Sequence, residues 1–475
     1  MEDEVLLIDF GSTFTKAVYV DLNRNEIIGK SNHFSTVDTD VTEGLRECLK
    51  DISRDSGIEN LKQSQALACS SAAGGLRIAC IGFVSDYSSE AANRAALGAG
   101  AKVVGCFSYE MTSKEIEEIE SLSPDIILLS GGTDGGDKKV IIHNAKMLAT
   151  RAWPDTSLII AGNKSAHDEI ASVFKGRENI FYARNVMPEV GKLEVDSCNK
   201  IIRELFLTRI IEAKGIAKAK SFITNILMPT PSAVLEAAQL LADGYRHVQD
   251  SSDSEKSFKK TSVGRDLVPG LGELVVIDVG GATTDIHSVA EGKPGGGGAT
   301  QVGLPEPYVK RTVEGDLGLR YNIDKLLEIA EERGISTDLE QTALKFCTQG
   351  YLPDGEDEVD CHTTLTRLAV ETAVNRHAGK IEIKYGPSGE VVFQYGKDLT
   401  NVHCVIGTGG PIIHSKNPRE ILETARFSEK EPNILKPKSP QFFLDSEYIM
   451  YAGGLLSTVN PEKAFLFLKK YVKEL

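Results

Sequence analysis

Two similar strand–turn–strand units, about 270 residues apart, are the feature that most constrains the fold of this chain. In each unit an apolar strand ends in an aspartate, a short turn of glycine and hydroxyl residues follows, and a second strand returns. The first unit contains Asp9 and the second contains Asp278. Two such hairpins, if they face each other, could hold a ligand from both sides.

The segment between the two units has its own pattern. From about residue 66 to 190, strand-sized apolar runs alternate with helical segments, which predicts a parallel sheet with helices on both faces. A helical stretch and a polar, charged stretch follow before the second unit begins. We therefore divide the chain into the first part of lobe I, a nested α/β unit, a helical segment with a polar linker, and lobe II (1–65, 66–190, 191–272 and 273–475).

Composition and charge argue against several classes of protein. Hydrophobic residues make up 41% of the chain and charged residues 25%, as in an ordinary globular protein rather than a disordered one. The net charge of −15 argues against a nucleic-acid partner, because phosphate backbones recruit basic patches. The apolar runs are too short to span a bilayer, and the acidic start is unlike a signal peptide. We expect a cytoplasmic protein with no membrane partner.

The residue types in the two turns suit phosphate chemistry. Glycines let backbone N–H groups approach phosphate oxygens closely, and serine and threonine hydroxyls add donors. An aspartate at a strand end can hold Mg²⁺ through its waters or orient an attacking water. One such hairpin alone is most simply a tight turn. Two matching hairpins, followed by a third glycine turn at Gly407–Gly410, instead predict a nucleotide site.

The order of these motifs resembles the sugar kinase, actin and heat-shock-chaperone superfamily of ATPases. Asp9–Thr13 is similar to its phosphate-1 motif, Asp278–Asp285 to its phosphate-2 motif with Ala282 in place of a third glycine, and Ile406–Gly410 to its adenosine motif. Ala452–Gly454 resembles the second connecting helix, so the resemblance extends over most of the chain. It implies an α/β fold with duplicated actin-like (ribonuclease H-like) lobes and a nested βαβ insertion, and the use of ATP with Mg²⁺.

A closer resemblance is to the MutL/GlmL family, which accompanies glutamate mutase and related adenosylcobalamin-dependent mutases and shares only a name with the mismatch-repair protein. It rests on Phe10–Lys16, Glu314–Gly318 and Gly407–Pro411. The resemblance implies a reactivating chaperone, akin to the diol dehydratase reactivases, that hydrolyses ATP to release damaged cobalamin from a mutase. The alternatives are a small-molecule kinase of the same superfamily and a non-catalytic scaffold, against which the intact Asp9 and Asp278 argue.

The resemblance also implies roles for individual residues. Asp9 is expected to order the waters of Mg²⁺, Asp278 to orient or deprotonate the attacking water, and Lys16 to face the β- and γ-phosphates. The alternative interpretation of Lys16 is that it is a solvated surface charge. Asp285 corresponds to a residue near the metal waters, with turn capping as its alternative. The other expected nucleotide contacts are Gly11, Ser12, Thr13, Gly280, Gly281, Thr283, Thr284, Gly407, Thr408, Gly409 and Gly410.

A further glycine-rich turn, Ser130–Gly136, lies in the nested unit. It follows a predicted strand, at the edge where a doubly wound sheet binds ligands, although a purely structural turn is the alternative. The preceding stretch loosely resembles cobalamin-binding domains but lacks their Asp-x-His-x-x-Gly signature, so we do not expect this chain to ligate cobalamin. We hypothesise that the nested unit contacts the mutase, the alternative being a static enlargement of lobe I.

Overall fold

The fold is described from a computed structural model of the chain. The described residues are 4–11, 13–35, 41–58, 61, 66–71, 76–212, 225–246, 267–294, 299–335, 339–348, 351–386 and 389–475. Ser12 and most of the predicted polar linker therefore lie outside the described residues.

Lobe I is built on a five-stranded mixed sheet. Its strands are β1 (Glu4–Phe10), β2 (Phe14–Asp21), β3 (Glu26–Phe34), β4 (Ala66–Ser70) and β10 (Asn225–Pro229). They pair in the order β10-β4-β1-β2-β3, with an antiparallel meander from β1 to β3 and with β4 and β10 parallel to β1. The unbroken apolar run of β1 is buried on both faces, as expected for a central strand covered on both sides.

Lobe II repeats this arrangement. Its strands are β13 (Leu274–Val279), β14 (Thr284–Val289), β16 (Val309–Glu314), β19 (Cys404–Thr408), β20 (Gln441–Asp445) and β21 (Val472–Glu474). The order is β16-β14-β13-β19-β20-β21, with an antiparallel meander from β13 through β14 to β16 and with β19 and β20 parallel to β13. Five strands of each lobe thus share one topology. The fold is that of duplicated actin-like (ribonuclease H-like) lobes, and the predicted fold class is confirmed.

The nested unit is a separate parallel sheet with helices on both faces. It pairs in the order β6-β5-β7-β8-β9 and packs into lobe I through the alanine face of α2, which shares a core with Ile8 and Phe10. Its elements are β5 (Arg77–Gly82), α2 (Glu90–Gly98), β6 (Lys102–Ser108), α3 (Ser113–Leu122), β7 (Ile126–Leu129), α4 (Lys139–Ala149), β8 (Ser157–Ile160), α5 (His167–Val173) and β9 (Ile180–Tyr182).

Two predicted boundaries differ from the structure. Ala66–Ser70, assigned to the nested unit, pairs with β1 in lobe I, so the nested sheet begins only at Arg77. Asn225–Pro229, assigned to a helical segment, is also a strand of lobe I. The reason is that a short apolar run predicts a strand but does not identify the strand with which it pairs, since pairing depends on contacts distant in sequence.

Two helices pack between the lobes, α7 (Thr230–Asp243) and α13 (Met450–Ser457). They share one core with Leu7 of β1 and Val276 of β13. A Cβ on Gly454 would overlap the carbonyl group of Ala233, so this close helix crossing requires a glycine. The Ala-Gly-Gly motif of α13 therefore has a packing reason.

The remaining elements complete the two lobes. Helices α1 (Val41–Ser56) and α6 (Asp196–Glu212) belong to the first half of the chain. The second half contains α8 (Ile323–Glu332), α9 (Leu339–Lys345), α10 (Glu356–His377), α11 (Gly410–Ile413), α12 (Pro418–Leu422) and α14 (Pro461–Tyr471). Two small sheets consist of β11 (Tyr245–Arg246) with β12 (Leu267–Val268), and of β15 (Thr300–Val302), β18 (Gly389–Tyr395) and β17 (Lys380–Gly386). Among the described residues, no helix is both long and apolar enough to cross a membrane.

Candidate functional site

The two hairpins meet where the lobes face each other. Asp9 lies opposite Lys16 in the β1–β2 pair, and Asp278 lies opposite Asp285 in the β13–β14 pair. A Cβ built on Gly281 would lie 3.7 Å from the hydroxyl oxygen of Thr13 in the other lobe. The turns predicted from the sequence are therefore in contact across the interface between the lobes.

Asp9 is buried and both of its carboxylate oxygens have partners. The ammonium group of Lys16 lies 3.1 Å from Oδ2, and the hydroxyl of Thr230 donates to Oδ1 at 2.6 Å. The thiol of Cys69 lies 3.6 Å from the same Oδ1. This network holds Asp9 rigidly at the end of β1 and ties it to the first residue of α7.

Lys16 is packed beside Asp9 and Tyr448 and is not a solvated surface charge. Its side chain is 19% exposed, and its Nζ lies 3.8 Å from the ring centroid of Tyr448. Burial favours a lower pKa for Lys16, but Tyr448 and Asp9 outweigh it and raise the pKa. Lys16 therefore keeps its positive charge beside Asp9.

Asp278 has a strongly perturbed acidity. Burial in the interface between the lobes is the main cause, and the negative charge of Asp285 adds to it; together they raise the pKa of Asp278 to about 7. A carboxyl group with this pKa exchanges its proton near neutral pH. Such a group is suited to accept a proton from an attacking water.

This shift predicts a pH-dependent stability difference between the wild type and Asp278→Asn. The folded pKa of about 7 exceeds the ordinary value of 3.8, so the folded state binds the proton more tightly than the unfolded state. The contribution favouring folding is complete below pH 3.8 and is lost as the pH rises to about 7. Because Asp278 is only half-buried, we expect wild-type stability to fall by about 1–2 kcal/mol relative to the variant between about pH 5 and pH 8. Urea unfolding of both proteins at the two pH values measures this difference in the free energy of unfolding. A difference that is the same at both pH values would contradict the prediction.

Asp285 is held by a buried guanidinium group. Nη2 and Nε of Arg311 donate to its Oδ1 at 2.6 and 2.9 Å, and the hydroxyl of Thr283 donates to its Oδ2 at 2.8 Å. These contacts agree with the turn-organising alternative for Asp285 and leave its role near the metal as a prediction. Thr284 is fully buried and donates to the carbonyl oxygen of Leu317, so its hydroxyl is already engaged.

The glycines of the two hairpins shape the turns. The amide of Gly11 donates to the carbonyl oxygen of Phe14 at 3.0 Å, and the amide of Gly280 donates to that of Thr283 at 2.9 Å. The carbonyl oxygen of Gly281 accepts two amide hydrogen bonds from the segment 320–321. The turns are thus closed by their own backbones, and their proposed phosphate contacts remain predictions.

The third glycine turn lies beside the second hairpin. Thr408 pairs with Asp278 in the β13–β19 register. Gly409 has a left-handed φ of 91°, and a Cβ there would overlap the backbone of Val279. Gly407 packs against apolar side chains, whereas a Cβ on Gly410 would have no atom within 4 Å. Of the turn's glycines, Gly410 is therefore the one that borders open space.

A small pocket joins these elements. Its lining residues come from both lobes and from the helices between them: Asp9, Thr230, Val234, Asp278, Thr408, Asp445, Tyr448, Met450 and Tyr451. The sequence analysis identified Asp9, Asp278 and Thr408 of this set. It missed Thr230, Val234 and the four lining residues of the segment 445–451.

Asp445 is the most informative of the missed residues. It ends β20, accepts a hydrogen bond from the Thr408 hydroxyl at 2.9 Å, and accepts the amide hydrogens of Ile449 and Met450 at the start of α13. Burial raises the pKa of Asp445. The sequence did contain a signal that could have identified Asp445, because it is an acidic residue at the end of an apolar strand and just before a helix.

The donor set fits a magnesium–nucleotide complex. Asp9 supplies hard oxygen atoms, and Lys16 places a positive charge beside it. Among the described residues, no group of three or more His, Cys, Asp or Glu side chains could hold a metal ion.

Comparisons with known proteins identify the family. The family model described as "MutL protein" matches residues 5–472. Protein MutL of Clostridium tetanomorphum is 43% identical over 481 residues, covering 99% of each chain. Among solved structures, gluconate kinase from Lactobacillus acidophilus (9% identity, TM-score 0.34) covers 99% of this chain and 92% of its own, and xylulose kinase from Bifidobacterium adolescentis (10%, 0.27) covers 99% and 94%. On its match to the family model and to this relative, the chain belongs to the MutL protein family.

Proposed function

We propose that this protein is an ATPase that acts as a reactivating chaperone for an adenosylcobalamin-dependent mutase of the glutamate mutase type. The observation that carries the ATPase part is the meeting of two aspartate-ended hairpins at one pocket, with Asp9 and Asp278 in its lining. Membership of the MutL family supports the mutase part, because the resemblance described above links that family to such mutases.

The aspartates of the pocket and the neighbouring Lys16 have separate roles in hydrolysis. ATP with Mg²⁺, when bound, supplies the phosphoanhydride bond whose cleavage releases free energy. Asp9 orders the metal's waters, and Lys16 offsets phosphate charge. Asp278, with a pKa of about 7, accepts a proton from water at its carboxylate. Backbone N–H groups of the turns, other than those of Gly11 and Gly280 that close the hairpins, donate to phosphate oxygens.

The position of the pocket supports coupling to a partner. The pocket lies between two lobes that are joined by α7 and α13, so binding and loss of phosphate can change how the lobes close. Such closure is a means of transmitting force to a bound mutase and loosening its damaged cobalamin.

Phosphate release without an added acceptor separates the proposal from the kinase alternative. A reactivating chaperone uses water as acceptor and therefore releases phosphate from ATP alone, whereas a kinase needs its acceptor molecule. We expect slow basal release that rises when a mutase loaded with cobalamin lacking its adenosyl group is added. Release that depends instead on a small sugar or carboxylate would favour the kinase.

The nested unit is our candidate partner surface, and its glycine-rich turn offers a specific test. Asp134 is tied into the unit by the amide of Lys164 and the side chain of Asn185, so changing it disturbs the turn itself. Asp137 is exposed, and one of its oxygens accepts the amide hydrogen of Val140. We expect Asp137→Asn, which retains that acceptor, to slow mutase reactivation about threefold while basal ATP hydrolysis is unchanged.

The measurement is release of cobalamin from the mutase, followed by absorbance. Lys146→Gln, on the neighbouring helix α4, is a matched surface control. Reactivation by Asp137→Asn at the wild-type rate would assign the turn a structural role and move the partner surface elsewhere.

A further inference from the structure

One guanidinium group connects the second hairpin to the nested unit. Arg311, on β16, is 6% exposed. Its Nε and Nη2 donate to Asp285, while its Nη1 donates to the carbonyl oxygens of Leu97 and Ala101 at 3.2 and 3.3 Å. Leu97 lies in the last turn of α2, and Ala101 follows that helix. A single buried side chain thus bridges the second hairpin, in lobe II, and the end of a helix from the nested unit.

The guanidinium group of arginine can form hydrogen bonds to Asp285 and to α2 at the same time. The planar guanidinium has donors on three nitrogens, and here all three nitrogens are engaged. Carbonyl groups at a helix C-terminus carry partial negative charge, so α2 and Asp285 both attract Arg311. If α2 moved away, Nη1 would lose both acceptors and a buried charge would be left with one partner, which is costly.

The contacts between α2 and lobe II combine apolar packing of Leu304 in the core shared with the alanine face of α2 and a set of polar contacts. Arg94 of α2 donates to the carbonyl oxygen of Pro305 at 2.6 Å and to Glu306 at 2.8 Å. Glu306 is also paired with Lys310 at 2.9 Å. Polar contacts of this kind allow domains to move relative to each other, because their groups can exchange protein partners for water.

We propose that Arg311 is a positioning residue that couples the docking of α2 to the geometry of the second hairpin. With α2 docked against β16, Arg311 holds Asp285 in place; with α2 displaced, the hairpin loosens. A partner that pulls on the nested unit thereby weakens nucleotide retention, and nucleotide binding tightens docking by the same factor. The effect on nucleotide rests on the proposed function, whereas the structural coupling does not.

Hydrogen exchange of the full-length protein without nucleotide tests the structural coupling. The readouts are the peptides covering α2 (90–98) and the hairpin (279–289). Arg94→Gln removes an α2 contact that lies outside the hairpin. We expect it to speed exchange in both peptides by about fivefold or more, because the disturbance passes through Arg311. Arg151→Gln, which breaks a surface ion pair within the nested unit, should change neither peptide.

Arg311→Lys is the decoupling variant, since one ammonium cannot hold Asp285 and both carbonyl oxygens in the same planar arrangement. We therefore compare the double variant, Arg94→Gln with Arg311→Lys, with Arg311→Lys alone. We expect exchange in α2 to be faster in the double variant, whereas exchange in the hairpin should be the same in both. The proposal is overturned if Arg94→Gln loosens α2 while the hairpin keeps wild-type exchange, or if its effect on the hairpin is the same in both backgrounds.

Mg-ATP affinity of the same variants separates this inference from the proposed function. If the wild type binds Mg-ATP, Arg94→Gln should weaken binding by about fivefold, and by less than twofold in the Arg311→Lys background. Equal weakening in both backgrounds would overturn the coupling to nucleotide. If the wild type does not bind Mg-ATP, the proposed function fails, and the exchange data still decide the coupling between α2 and the hairpin.

Discussion

Replacing Asp278 with asparagine is expected to lower ATP hydrolysis by roughly 10²-fold or more while ATP affinity stays within about tenfold of the wild type. Asparagine keeps the size of the side chain and its place between Asp285 and Thr408 in the sheet. It cannot accept a proton from water. The loss is therefore confined to the transition state, where the proton is transferred.

Single-turnover hydrolysis and equilibrium binding of ATP distinguish the roles of the two aspartates. Asp9→Asn is the matched comparison, because Asp9 is proposed to act through the metal and should lose Mg²⁺-dependent affinity as well as rate. If Asp278→Asn lost binding and rate equally, Asp278 would be a metal-holding or structural residue instead. If it kept full activity, the proposed mechanism would be wrong.

The hairpins could be predicted from the sequence because their signals are local. In β1 and β13, apolar runs lead directly into an aspartate and a glycine turn, and the returning strands follow within five residues. Their antiparallel pairing then requires no distant information. The same motifs allowed the family to be predicted.

The missed residues depend on contacts that are distant in sequence. Thr230 lies 221 residues from Asp9, yet its hydroxyl donates to that carboxylate at 2.6 Å. Tyr448, above Lys16, has a left-handed φ of 55°, which no sequence pattern marks. Their place in the site follows from the way β10 returns to lobe I and α13 crosses α7.

The partners of Arg311 also could not be predicted from the local sequence. Arg311 directly follows another basic residue, Lys310, in β16, so nothing local identifies its partners. Only the docking of α2 brings two carbonyl oxygens within reach of its Nη1. The role of a buried charged side chain can be inferred only when the groups that surround it are known.

Gly410→Val is expected to raise the dissociation constant for ATP by about 30-fold or more, which corresponds to about 2 kcal/mol. A side chain at Gly410 enters open space at the start of α11, where the nucleoside is proposed to lie. The sequence does not distinguish this position from Gly409. At Gly409, however, a Cβ would overlap the backbone of Val279, so a loss of binding there would report a disturbed hairpin rather than a blocked pocket.

A size series makes the argument specific. Gly410→Ala adds one methyl group and should weaken ATP by less than Gly410→Val, while the thermal stability of both variants stays near that of the wild type, because no atom lies within 4 Å of the new Cβ. Calorimetric titration with Mg-ATP measures affinity, and thermal unfolding without nucleotide checks the fold. If both variants bound ATP like the wild type, the third glycine turn would not border the nucleoside, and the adenosine end of the proposed site would have to lie elsewhere in the interface between the lobes.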